Sequence, residues 1–177
     1  HGLYQKIRRY LGQHAGSNYI PEPGIELTYA RYGLWNYVKE DKQEVAPYND
    51  LHSAGVNLRG LIRVMLFKRF ESSVFAFRET LIRLEKIHDV FIKALDEGFV
   101  PAGKDAQRLL YESDQYDEPD LLDALESYSG KYDLKDFEAV KLREHLEKDQ
   151  KLIQEIISLV KPITPKKDAK LKLFLSK

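Results

Sequence analysis

Cysteine is absent from this 177-residue chain. That excludes disulfides and thiolate metal sites, and it fits a reducing, cytoplasmic setting. No apolar run approaches the ~18–20 residues needed to cross a bilayer, and no secretory signal pattern opens the chain. Net charge is missing as well, since 28 basic and 28 acidic residues cancel. No Gly-x-x-x-x-Gly-Lys-Ser/Thr loop is present to hold nucleotide phosphates, and no Gly-x-Gly-x-x-Gly follows a strand. The chain opens on His1-Gly2 rather than on methionine, as expected of a piece cut from a longer polypeptide.

The zero charge is a sum of unlike blocks. Residues 59–93 hold 8 basic and 4 acidic residues, residues 94–138 hold 4 and 13, and residues 139–177 hold 10 and 5. Two basic segments therefore flank an acidic middle. Such blocks either offer a basic face to nucleic acid or neutralise each other when helices pack.

Apolar periodicity is helical throughout and no strand pattern of useful length occurs. Leu3, Ile7 and Leu11 mark a short helix over 3–11, and Gly12 to Gly24, with Pro21 and Pro23, reads as loop. Thr28 to Glu40 reads as a helix rich in aromatics. Its Tyr29, Tyr32, Trp35 and Tyr37, beside Arg31 and Lys39, suit helix packing first and base stacking second. From Leu51 to Glu97 there is no proline. Phe67, Phe70, Val74, Phe77, Leu81, Leu84, His88, Phe91 and Leu95 alternate steps of three and four, a heptad seam with one polar member. The spacing predicts one long helix over about 51–97, with Gly60 its weakest point.

Residues 98–133 form an acidic connector with short helices expected at Lys104–Tyr111 and Asp120–Tyr128. Asp133 is placed to cap a second long helix over 134–160, which Asp149 interrupts as a polar member of its stripe. Thr164-Pro165 then restarts a helix. Two long amphipathic helices must bury their stripes on each other. The expected fold is all-α: a single domain over 1–177, shaped as an elongated antiparallel helical hairpin or bundle padded by several short helices.

Catalytic and metal constellations are hard to find. The five histidines lack ligand spacing, and His88 belongs to the seam. Asp114, Asp117 and Asp120 mimic the start of a calcium loop, but its sixth position is Pro119 where glycine is needed. Ser158 and Lys161 have Ser-x-x-Lys spacing, yet they sit at a helix end beside Pro162.

One cluster stands out. Arg63, Lys68, Arg69, Glu71, Ser72 and Ser73 load an apolar helix with charge and hydroxyls. The serines can serve as small residues at a close helix approach, with Arg69 and Glu71 in an ion-pair network. Alternatively, the cations touch phosphates or another domain.

The stretch Asn57-Leu-Arg-Gly-Leu-Ile-Arg-Val-Met-Leu-Phe-Lys-Arg-Phe-Glu-Ser-Ser73 closely resembles the segment between the two RecA-like lobes of bacterial Swi/Snf-type helicase-like ATPases. Ala76-Phe-Arg-Glu-Thr-Leu81, Ala94-Leu-Asp-Glu-Gly-Phe-Val-Pro-Ala-Gly103, Thr28 to Val38 and Ile163 to Leu171 are similar to neighbouring parts of the same region. The resemblance implies a helical insertion of an ATP-dependent DNA translocase or helicase. The lobes would carry ATP, Mg²⁺ and the arginine finger, and this segment would have no catalysis of its own. It also implies the flanking lobes, and DNA, as partners. Arg63, Lys68 and Arg69 are then the first candidates for phosphate or lobe contact, and Lys166, Lys167 and Lys170 the second. The competing expectation is a free-standing helical scaffold for protein–protein interaction.

Overall fold

The computed structural model describes residues 2–12, 21–129 and 131–163. It is all-α. Among the described residues the helices are α1 (Gly2–Leu11), α2 (Asp50–Ser72), α3 (Val74–Asp96), α4 (Lys104–Tyr111), α5 (Glu118–Ser129) and α6 (Ala139–Val160). Single 3₁₀ turns at Ala30–Tyr32, Leu34–Tyr37, Glu40–Lys42, Ser113–Gln115 and Leu134–Asp136 complete the order. No strand occurs among the described residues, and no described helix is long and apolar enough to cross a membrane. The expected restart at Thr164-Pro165, with Lys166, Lys167 and Lys170, lies outside the described residues.

The helix expected over 51–97 is corrected to two. It runs through Gly60 and stops at Ser73, whose Oγ accepts the Ala76 N–H at 3.2 Å and so caps α3. The seam survives the interruption. Phe67 is half-buried, and every later member from Phe70 to Leu95 is buried, His88 included.

The helix expected over 28–40 is also corrected, to three 3₁₀ turns. Tyr29 takes a left-handed backbone at φ 56°, and a β-carbon on Gly33 would fall 2.6 Å from Cδ of Arg59, so the arginine packs directly on the turn's backbone. The second long helix begins at Ala139, not Leu134. Asp133 accepts the Lys135 N–H at 2.9 Å but caps only one turn. Phe137 then goes extended, because its neighbours bond back to an earlier segment: Lys39 N–H to Asp136 O at 2.9 Å and Glu138 N–H to Tyr37 O at 2.6 Å.

The chain forms two compact units. One comprises Tyr29–Arg59 and Lys86–Glu147. Its core gathers Leu34, Tyr37, Phe91, Leu95, Leu109, Leu125, Phe137 and Leu142. The two ends of the acidic connector are joined by Val100 N–H to Tyr132 O (3.1 Å) and Leu134 N–H to Gly98 O (3.2 Å), so the connector closes on itself around the packed pair α4 and α5. Tyr48 is buried here with its hydroxyl donating to the Asp136 carboxylate. Burial first, then that bond and the nearby negative charge, push the phenol well above its usual range. Burial, with a smaller effect of the Asp50 charge, raises Tyr132 too.

The other unit comprises His1–Thr28, Gly60–Glu85 and Lys148–Lys177. Here Gln154 donates to Glu85 at 3.0 Å and Arg78 to the Lys161 carbonyl at 3.4 Å. Partner numbers fall as α3 numbers rise, so α3 and α6 run antiparallel in this unit. Helix α1 lays Tyr4 on Phe70 with ring centroids 5.5 Å apart, and the Leu27 N–H returns to Tyr10 O at 2.8 Å.

Candidate functional site

Helix α2 is apolar almost all round from Leu58 to Phe70, more than one buried face can use. The structure divides it. Leu66 and Phe70 are fully buried, and Arg63 and Phe67 are half-buried beside them. On the opposite side Leu61, Val64, Met65, Lys68, Arg69 and Ser72 line an open groove of about 360 Å³. Their spacing follows one helical face. Leu61 is 64% exposed and Val64 41%, in a helix whose other side supplies the core.

The candidate cluster splits along the same line. Arg63 belongs to the fold. It donates to the Gly12 carbonyl at 3.0 Å and lies over the Phe67 ring at 5.7 Å. Gly12 ends α1 at φ 97°, its N–H bonded to the Arg8 carbonyl at 3.1 Å, so Arg63 ties that helix end to α2. Ser73 belongs to the fold as the α3 cap. Lys68, Arg69, Glu71 and Ser72 are exposed. The Ser72 hydroxyl turns back weakly to the Arg69 carbonyl at 3.4 Å. Lys68 and Arg69 have no carboxylate partner among the described residues, and the ion pair expected for Glu71 does not form among them.

Arg69 reports a bend. Its Nη1 donates to Oγ1 of Thr80 at 3.1 Å, eleven residues on. Eleven residues of straight helix span about 16 Å, farther than these two side chains can bridge. The axis therefore turns at Ser73, which also brings the Phe70 and Phe77 rings to 5.0 Å. The bend leaves Phe75 62% exposed just past the groove, with the Arg78 guanidinium 5.5 Å from its ring centre.

Other sequence candidates fall into the core. Tyr29, Tyr32 and Tyr37 are buried. Trp35 tilts against His52 at 4.1 Å and donates to the Gln43 carbonyl at 3.1 Å. The Tyr37 hydroxyl meets Nδ1 of His145 at 2.7 Å. The aromatic segment thus packs and offers no open stacking platform. No group of three His, Asp or Glu placed to hold a metal occurs among the described residues. Leu61, Val64 and Met65 were not singled out by sequence reasoning, although their spacing to Lys68 and Ser72 at steps of three and four carried the signal.

No family model matches the chain, and no curated protein or solved structure shows significant similarity to it.

Proposed function

We propose that this chain is the helical segment between the two RecA-like lobes of a bacterial, cytoplasmic Swi/Snf-type DNA translocase or helicase. In this reading it transmits lobe movement and contacts DNA or a lobe through the exposed face of α2. In this reading ATP and Mg²⁺ are held by the flanking lobes, and the segment carries no catalysis of its own.

One observation supports the reading most. In Lys68-Arg-Phe-Glu-Ser-Ser73 the fold uses Phe70 and Ser73, and leaves Lys68 and Arg69 outward without carboxylate partners among the described residues. A motif needed only for packing has no use for the Lys68 cation, and Arg69, exposed, spends one nitrogen on Thr80 and keeps its charge outward. Arg63, occupied at Gly12, drops out of the contact set, which becomes Lys68 and Arg69.

The test is fluorescence anisotropy of labelled duplex and single-stranded DNA over a salt series, wild type beside the Lys68→Ala, Arg69→Ala double variant. Binding that weakens with salt, with a log–log slope reduced by about 1–2 in the variant, supports phosphate contact. No binding at low salt rejects DNA as the partner of this face. In the parent motor, deleting the segment is expected to uncouple ATP hydrolysis from DNA movement, and unchanged coupling in a folded deletion defeats the proposal.

The second reading, a scaffold for protein–protein contact, is favoured by the exposure of Leu61 and Val64, since apolar side chains gain nothing against a phosphate backbone. The flanking sequence of the source polypeptide separates the two readings. A P-loop before it and an arginine-finger motif after it select the first, and their absence selects the second.

A further inference from the structure

We infer that the α2 groove of one chain receives the outward face of α5 from a second copy, giving a salt-sensitive, head-to-tail self-association. This goes beyond the motor reading and does not rest on it; the second copy would compete with DNA or a lobe for Lys68 and Arg69.

The argument is complementarity of two surfaces present in the same chain. The groove is apolar at Leu61, Val64 and Met65 and cationic at Lys68 and Arg69. Those cations have no carboxylate partners among the described residues. Helix α5 supplies the opposite. Leu121, Leu122 and Leu125 are buried inward, while Asp120, Asp123 and Glu126 stand exposed at steps of three. None of these three carboxylates has an ion-pair partner among the described residues. Tyr116 before the helix and Tyr128 in its last turn are exposed large apolar residues, so the acidic row is bracketed by rings suited to the groove's aliphatic part.

The lengths agree as well. Leu61 to Ser72 spans about 16 Å and the twelve residues of α5 about 18 Å. Both faces are exposed in the single chain, and a second copy brings the missing charge to each.

Two different patches meet, so the contact is heterologous, and each chain can give and receive. One helix seated on another buries less than a standard interface, so the association is weak and concentration-dependent. It is also sensitive to salt, because exposed charges carry part of it and about 1 M salt shortens the screening length to about 3 Å.

Sedimentation velocity over a concentration series, at low and at high salt, tests this with four samples: wild type, Lys68→Glu with Arg69→Glu, Asp120→Lys with Asp123→Lys, and an equimolar mixture of the two variants. All four substituted positions are exposed, and circular dichroism checks that each variant is folded. The wild type is expected to associate at low salt and to return to monomer at high salt. Each variant alone is expected to stay monomeric, because its groove and its α5 face now carry the same sign. The mixture is expected to associate again, because each variant supplies the complement of the other. A wild type that is monomeric at low salt overturns the inference. So does association that survives either charge swap, or a mixture that stays monomeric. Association abolished by the groove swap but untouched by the α5 swap also overturns it, and would assign the groove to another surface.

Discussion

Asp149, 1% exposed within α6, accepts two hydrogen bonds from a single residue, Thr28: one from its backbone N–H and one from its hydroxyl, both at 2.8 Å. A carboxylate on the apolar stripe of a long helix is costly unless its oxygens are occupied. Here it captures Thr28, in the irregular stretch before the first 3₁₀ turn, and fixes where that stretch meets α6. Asp149→Ala removes both of these bonds to Thr28 and is expected to cost about 3 kcal/mol in denaturant unfolding. Thr28→Val loses one bond and is expected to cost about 1–2 kcal/mol. The double variant is expected to cost less than the sum, with coupling of about 1 kcal/mol or more. Additivity would show that the pair is not energetically joined.

The two serines of the Lys-Arg-Phe-Glu-Ser-Ser motif are expected to differ sharply. Ser73 caps α3 at the bend, so Ser73→Ala is expected to cost about 1 kcal/mol. Ser72 is exposed and its hydroxyl makes one long bond, so Ser72→Ala is expected to stay within about 0.5 kcal/mol of wild type. Thermal melts of the two single variants read this directly. Equal effects would mean that the chain does not break at Ser73.

Much of this architecture was legible from spacing alone. The heptad steps from Phe70 to Leu95 picked out residues that are all buried, and the expected α4 agrees with Lys104–Tyr111 at both ends. The interruption at Ser73 was not legible, because a cap inside a continuous apolar seam leaves the period unchanged. The segment 28–40 reads as helix because aromatic spacing there is helical, while a left-handed Tyr29 and the close approach of Arg59 to Gly33 decide the backbone. For the site, charge marked Lys68 and Arg69 but also Arg63. Only the position of Gly12, far away in sequence, shows that Arg63 is engaged.

That division is measurable as stability. Arg63→Ala removes a bond to the end of α1 and the stacking on Phe67, and is expected to cost about 1–2 kcal/mol. Lys68→Ala, at an exposed position without a carboxylate partner among the described residues, is expected to change stability by less than about 0.5 kcal/mol. Urea midpoints decide it, and a Lys68 effect as large as that of Arg63 would place Lys68 in the fold.

Tyr48 supplies a pH prediction whose sign follows from its environment. Its phenol is buried, donates to the Asp136 carboxylate and is held above its ordinary range. The unfolded chain releases that proton near pH 10, while the folded chain keeps it. The stabilisation is therefore complete below about pH 10 and declines as pH rises beyond it, by up to about 1.4 kcal/mol per pH unit for one retained proton. Tyr48→Phe removes the retained proton, so its stability is expected to fall less steeply above pH 10 than that of the wild type. The residual slope belongs in part to Tyr132, which is raised in the same way. Phenolate absorbance gives the second readout: the variant should lack a late-titrating component and keep the main titration. Parallel stability curves for wild type and variant between pH 9 and 11 would show that the folded chain does not hold the Tyr48 proton more tightly than the unfolded chain.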